Sequence, residues 1–218
     1  MTVTVLVDND VVIKLAQMDA YVDALAAVGV SPTQVGSLRV MLRYMGIVDS
    51  SRRKRLTQTP AEADRLNVAL QSIVELEMTP QESALAASVM ARVLNAGLDL
   101  QEGELSLCVV AVSRGAIDLC TGDKRALKEL PALERLWAAL SQLRGRCICL
   151  EQLFERMCGK SGLGRVGDAV TTSPKADSTI LFVYRHPSVG SERAFIQGMQ
   201  KVTQDRVGQY APGWLKAF

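Results

Sequence analysis

The stretch VLVDNDVVIKL, Val5 to Leu15, restricts the fold more than any other part of the chain. Val3, Val5, Leu6 and Val7 make a nearly unbroken apolar run, the pattern of a strand hidden under helices on both faces of a parallel sheet. The run delivers Asp8, Asn9 and Asp10 in succession. In open α/β sheets the carboxyl ends of the strands are where sites form, and two carboxylates there repel each other unless a cation or a proton lies between them. A single Asp at this place reads as the N-cap of the next helix. A pair asks for more.

Following the strand, Val12, Leu15, Ala16, Tyr21, Val22 and Leu25 predict one helix over Val11 to Ala27, closed by Gly29. Ser31-Pro32 predicts the start of a second helix running to about Met45. The segment SSRRKR carries Arg52, Arg53, Lys54 and Arg55 with no aromatic residue interleaved, and reads as a solvated loop whose cations can contact phosphates. Thr59-Pro60-Ala61-Glu62 and Thr79-Pro80-Gln81-Glu82 repeat one helix start, Thr as cap, Pro in the first turn and Glu as its reciprocal partner. These predict helices to roughly Met78 and Asn95, with Gly97 as a stop.

Leu105, Cys108, Val109 and Val112 define the next helix stripe, with Glu104 near its start, where the helix dipole alone would favour an acid. Ala116 to Cys120 reads as a strand, and Thr121-Gly122-Asp123 leaves its carboxyl end as Asp8 leaves the first. In a parallel sheet both acids come to one edge, although Asp123 also suits the cap of a helix beginning at Lys124. Pro131 to Leu143 reads as helix, Arg146 to Leu150 as strand and Glu151 to Met157 as helix. From Gly159 to Ser178 the composition turns to Gly, Ser, Thr, Asp and Lys, which reads as a linker or mobile loop. Its GLGRVG follows no strand and lacks the Gly-Lys-Ser/Thr ending of a phosphate loop. Thr179 to Tyr184 is strand-like, and Ser191-Glu192 opens a last helix to about Val207.

Composition narrows the chemistry. A chain of 218 residues that is 48% hydrophobic and 22% charged can bury a sizeable core. Its net charge of +2 neither favours nor opposes nucleic acid, since binding follows local clustering. A single histidine, His186, argues against a histidine triad or a multi-histidine metal site. Cys108, Cys120, Cys147, Cys149 and Cys158 lack zinc spacing and read as reduced core thiols. No apolar run approaches the roughly 20 residues that cross a bilayer, and the amino terminus lacks a signal-peptide pattern, so a cytoplasmic location is expected.

With these residues in hand, the chain resembles a PIN domain, the fold of metal-dependent ribonucleases, over about Val3 to Cys158. VLVDNDVVIKL is similar to that family's opening strand and first acid, Asp8. EGELSLCVVAV is similar to its Gly-Glu helix start, supplying Glu104. CTGDKRAL is similar to its late strand end, supplying Asp123. The resemblance implies a three-layer α/β/α fold with a central, mostly parallel sheet and a helical insertion. Residues 1–158 would form this domain, 159–178 a linker, and 179–218 a strand-helix extension.

It further implies Mg²⁺ or Mn²⁺ held by Asp8, Asp10, Glu104 and Asp123, with Asp8, Glu104 and Asp123 as the catalytic set. Asn9 and Thr121 would support them from behind. The substrate would be RNA, single-stranded rather than duplex, met by Arg52, Arg53, Lys54, Arg55, Lys124 and Arg125. A protein partner at the carboxyl-terminal extension and a homodimer stay open. The family's acid in the early helical region has no counterpart between Thr33 and Tyr44, where Asp10, or more weakly Glu102, would have to compensate. An impaired PIN-like scaffold that binds RNA or protein is therefore the second reading. A haloacid dehalogenase-like phosphatase also opens with Asp-x-Asp, but Val11-Val12 stand where its loop favours Gly-Thr, and no Asp lies four residues beyond Asp123.

Overall fold

The computed structural model describes residues 2–115 and 117–218. Five short strands form one all-parallel sheet: β1 Val5–Val7, β2 Val35–Leu38, β3 Val74–Leu76, β4 Asp118–Thr121 and β5 Cys147–Cys149, in the order β3-β2-β1-β4-β5. Parallel neighbours need crossovers, and helices supply them. They are α1 Asn9–Gln17, α2 Tyr21–Ala27, α3 Arg39–Tyr44, α4 Ser50–Leu56, α5 Pro60–Ser72, α6 Pro80–Ala96, α7 Glu102–Ser113, α8 Lys124–Leu136, α9 Leu150–Thr172, α10 Ser178–Arg185 and α11 Glu192–Thr203.

Side chains that alternate along the strands divide the core in two. Val5, Val7, Cys120 and Ile148 face the cluster built with α1, α2, α5, α9, α10 and α11. Leu6, Leu119, Cys147 and Cys149 face the cluster built with α6, α7, α8 and the carboxyl-terminal tail. Both faces of the sheet are thus dry, which is why its strands read as continuous apolar runs. All five cysteines are buried free thiols. Among the described residues no helix is long and apolar enough to cross a membrane.

The structure revises several expectations. The helix expected over Val11–Ala27 breaks at Asp19, whose φ of 52° is left-handed, and the chain turns between α1 and α2. The segment expected as one helix from Ser31 is a 3₁₀ turn, then β2, then α3. Gly36 explains β2: a Cβ there would press into Val3, Leu6 and Leu76, so close strand packing requires glycine. The basic run is helical, because the Asp49 carboxylate accepts from Ser51 and Arg52 and caps α4. The span expected to stay helical to Met78 ends at Ser72 and adds β3. The helix expected from Pro131 begins at Lys124 instead, carries Pro131 inside it and passes into a 3₁₀ stretch, Ala138–Leu143. Ala116, expected to open β4, lies outside the described residues.

The largest revision concerns residues 159–178. Most of this stretch continues α9, and Val166, Ala169 and Val170 are buried at helical spacing in the first core cluster. Gly162, at φ +84°, marks a kink inside the helix, while a Cβ on Gly167 would collide with the Tyr184 hydroxyl. The glycines that resemble a linker are a bend and a close contact. Thr179 to Tyr184, expected as strand, lies in α10, where Asp177 accepts from Thr179 and Ile180 and burial of Ile180 and Val183 outweighs β-branched propensity.

Candidate functional site

Parallel strands put every carboxyl end on one edge, and the sheet order reverses direction at β1, between β2 and β4. A crevice at such a switch point is built into the topology. The β1–β4 register sets Val7 opposite Cys120, and the Asp8 amide donates to the Cys120 carbonyl at 3.0 Å. Asp8 therefore leaves the sheet level with Thr121, whose hydroxyl donates to Asp8 Oδ2 at 3.1 Å. The Thr121 hydroxyl also accepts the Asp123 amide at 3.1 Å, tying the two acid-bearing loops together. Gly122 lies between them, and a Cβ there would displace the Asp10 carboxylate. Glu104 arrives from the first turn of α7, where it accepts the Gln101 amide at 2.9 Å.

The result is a cleft of about 840 Å³, a size that fits small ligands or parts of larger ones. Asp8, Asn9, Asp10, Glu102, Glu104, Asp123, Lys124 and Arg125 line it among others. Thr121 lies behind Asp8. The structure brings together the acids that the sequence singles out from three separate elements. Asp8 and Asp123 also cap α1 and α8, so the capping roles hold alongside any chemical one.

Mutual repulsion shows in the protonation of the cluster. Burial raises the Asp8 carboxyl, with Asp10 and Asp123 adding to it, against hydrogen bonds from Asn9 and Thr121. Burial also pushes Glu104 up, and Asp123 and Asp8 carry it to about 8 despite the Gln101 amide. Asp123 is held below its ordinary value: burial would raise it, but Arg125 and a hydrogen bond from Glu104 outweigh that. The two carboxyls titrate as a pair in which Glu104 is the one raised and Asp123 the one lowered.

Two of the acids, Asp10 and Asp123, have cationic partners. Arg125 holds Asp123, and Lys14 Nζ lies 2.8 Å from Asp10 Oδ2. Among the described residues, no group of three or more His, Cys, Asp or Glu side chains is spaced to hold a metal ion as placed. The donor chemistry nonetheless suits a hard divalent cation: all-oxygen, acidic, and carrying a proton where a cation could substitute.

The expected basic contacts divide. Lys124 lines the cleft, but its ammonium lies 2.8 Å from Oε1 of Glu151, a residue of α9 only 1% exposed. Arg52, Arg53, Lys54 and Arg55 do not line the cleft. Arg52 donates to the Arg43 carbonyl, and Arg53 donates to the carbonyls of Gly46 and Ile47. Between Thr33 and Tyr44, Arg39 pairs with Glu75 and Glu77, and no acid of that segment reaches the cleft.

Sequence reasoning missed other neighbours. Lys14 bridges Asp10 and the buried Asp177, 3.0 Å away, and the i,i+4 spacing of Asp10 and Lys14 was its only visible sign. Ile13, Val40, Met41 and Tyr44 add an apolar part to the lining of the same cleft. Compared with known proteins, the chain matches no family model, no curated protein and no solved structure.

Proposed function

We propose that the chain is a divalent-metal-dependent ribonuclease of PIN-like architecture that hydrolyses phosphodiester bonds in single-stranded RNA. One observation carries this reading: Asp8, Glu104 and Asp123, delivered by the ends of β1 and β4 and the start of α7, line one cleft in which two of the three carboxyls are raised above their ordinary values. Raised acids packed together in a cleft mark a candidate functional site. The three sequence motifs that resemble the family supply these same three residues.

In this reading Asp8, Glu104 and Asp123 hold Mg²⁺ or Mn²⁺, with Asp10 as a further oxygen donor. When bound, the ion activates water and offsets charge developing on the scissile phosphate. Thr121 fixes the Asp8 carboxylate through its hydroxyl, and Gly122 leaves room for Asp10. Lys14, anchored to Asp177, keeps positive charge beside Asp10.

A second reading, a PIN-like scaffold that binds without cutting, is favoured by one specific observation. Lys14 and Arg125 already neutralise Asp10 and Asp123, and Arg39 stands in the segment where the family carries an acid. The test is calorimetric titration of Mn²⁺ and Mg²⁺ on the wild type and on Asp8→Asn, alongside cleavage of a labelled single-stranded RNA. The nuclease reading expects binding and cutting in the wild type and loss of both in the variant. A folded wild type that neither binds metal nor cuts a varied RNA pool leaves the scaffold reading standing.

A further inference from the structure

Part of the cleft lining is apolar, and two of its side chains lie open to water. Val40 is 67% exposed and Tyr44 53% exposed, both on α3, beside the partly buried Ile13 and the buried Met41. Exposed apolar side chains that line the mouth of a charged cleft mark a binding surface rather than a core. Tyr44 carries a second feature. The Arg52 guanidinium lies over its ring at 5.8 Å from the centroid and is steadied by a 3.3 Å hydrogen bond to the Arg43 carbonyl.

The aromatic partner that the basic run lacks in sequence is thus supplied by α3 in space. Among the described residues Arg43, Arg52, Lys54 and Arg55 make no ion pair with an acid. An exposed aromatic ring backed by an arginine, with cations on the same and the next helix that make no ion pair, suits a flexible polyanion bearing flat apolar groups, and the acids of the cleft fit that ligand through a cation held between them. A folded protein partner would have little use for the acids, and a duplex would keep its bases stacked away from Tyr44.

We propose that Tyr44 is a stacking platform on which an unpaired nucleobase of single-stranded RNA lies, with Arg52 bracing the ring and Arg43, Lys54 and Arg55 following the phosphates. The proposal rests on the ribonuclease reading for its choice of RNA, and it names Tyr44 as the residue that selects single strands. Stacking a base on an aromatic side chain contributes enough that its removal changes affinity by about 5–150-fold. A guanidinium over the ring adds a cation–π attraction that holds the tyrosine in place.

The test measures Kd by fluorescence anisotropy for a short labelled single-stranded RNA and for its blunt duplex, in Ca²⁺ buffer, with wild type, Tyr44→Ala, Tyr44→Phe and Tyr44→Trp. KM and kcat for cleavage in Mn²⁺ are measured on the same proteins. Because Tyr44 is exposed, the variants fold, and thermal melts verify that. Tyr44→Ala should raise Kd and KM for the single strand about 5–150-fold with kcat little changed. Phe and Trp should restore binding, and the duplex should be indifferent to all three changes.

Equal affinity of Tyr44→Ala and wild type for the single strand overturns the platform while leaving the nuclease intact. Equal losses for single strand and duplex overturn it as well, pointing to a general surface effect. A wild type that binds the strand through Tyr44 but does not cut supports the platform and removes the nuclease reading. A wild type that binds neither RNA overturns both.

Discussion

Glu82 and Glu104 occupy the same place in two consecutive helices and have opposite chemistry. Each is the third residue of its helix and turns back to accept the amide of the residue before it, Thr79 at 2.7 Å for Glu82 and Gln101 at 2.9 Å for Glu104. Local sequence fixes that geometry in both cases. Glu82 then meets the fork of Arg114, at 2.8 and 2.9 Å, and this partner holds its carboxyl below the usual range. Glu104 is pushed to about 8 by burial, with Asp123 and Asp8 as neighbours in place of an arginine. One helix-start motif therefore serves as a structural tie in α6 and carries a raised, cleft-lining acid in α7. The difference lies in which groups the fold brings opposite, and in α7 the fold brings more acid.

Substituting both residues in the same way breaks the comparison where the expected effect is largest. Under the nuclease reading Glu104→Gln should lower RNA cleavage by roughly 100-fold or more, the scale lost when a group beside the reacting centre is removed. Glu82→Gln should leave kcat/KM unchanged. Stability should move the other way. Glu82→Gln weakens the paired, charge-assisted hydrogen bonds to Arg114, and urea melts should show a loss of about 1–3 kcal/mol. Glu104→Gln places a neutral amide where a protonated carboxyl already sits, so the melt should shift little or upward. Equal activity in the two variants would remove Glu104 from the site.

A titration of stability sharpens the same contrast. Glu104 binds its proton more tightly folded than unfolded, so without divalent cation its contribution is full below its unfolded value near 4.5. Stability then falls as pH rises towards about 8. Glu82 acts in the opposite sense: its contribution is present above its unfolded value and fades as pH falls through its lowered folded one. With allowance for solvent screening of the half-exposed Glu104, the decline from about pH 5 to about pH 8 should amount to about 1–2 kcal/mol. Glu104→Gln should abolish it. Added Mn²⁺ should flatten it too, with a proton released on binding, because cation and proton compete for one carboxyl. A slope that survives in Glu104→Gln would place the titrating group elsewhere.

These contrasts also show what could be read from the chain. The three acids were legible because each adjoins a short, strongly patterned element: the apolar run before Asp8, the stripe after Glu104 and the strand before Asp123. What was not legible depended on distance in sequence. β2 and β3 are too short and too mixed to announce themselves, since Val35, Gly36, Ser37 and Leu38 are buried by neighbours rather than by a pattern of their own. The second half of α9 was hidden by its glycines, and with it Asp177, which anchors Lys14 beside the site. Tyr44 and Arg52 are separated by a turn and another helix start, so their contact has no periodic signature.

The smallest effect concerns the caps themselves. Thr79 offers its hydroxyl to the Glu82 amide at 3.1 Å, whereas the Gln101 side chain makes no cap hydrogen bond at the start of α7. Thr79→Ala should therefore cost about 1 kcal/mol, the usual value of a lost N-cap. Gln101→Ala should stay within about 0.5 kcal/mol, as at most exposed positions. The pair is informative because it tests the helix starts without touching either carboxylate. α6 should be held at its amino end by both halves of a reciprocal motif, and α7 by Glu104 alone. If Gln101→Ala cost as much as Thr79→Ala, the Gln101 side chain would be holding α7. Glu104 would then be spared its structural duty and free to serve the cleft only. If the cost is small, as the geometry indicates, the one acid both starts the helix and lines the cleft, and under the nuclease reading drawing it towards a cation would loosen the first turn of α7.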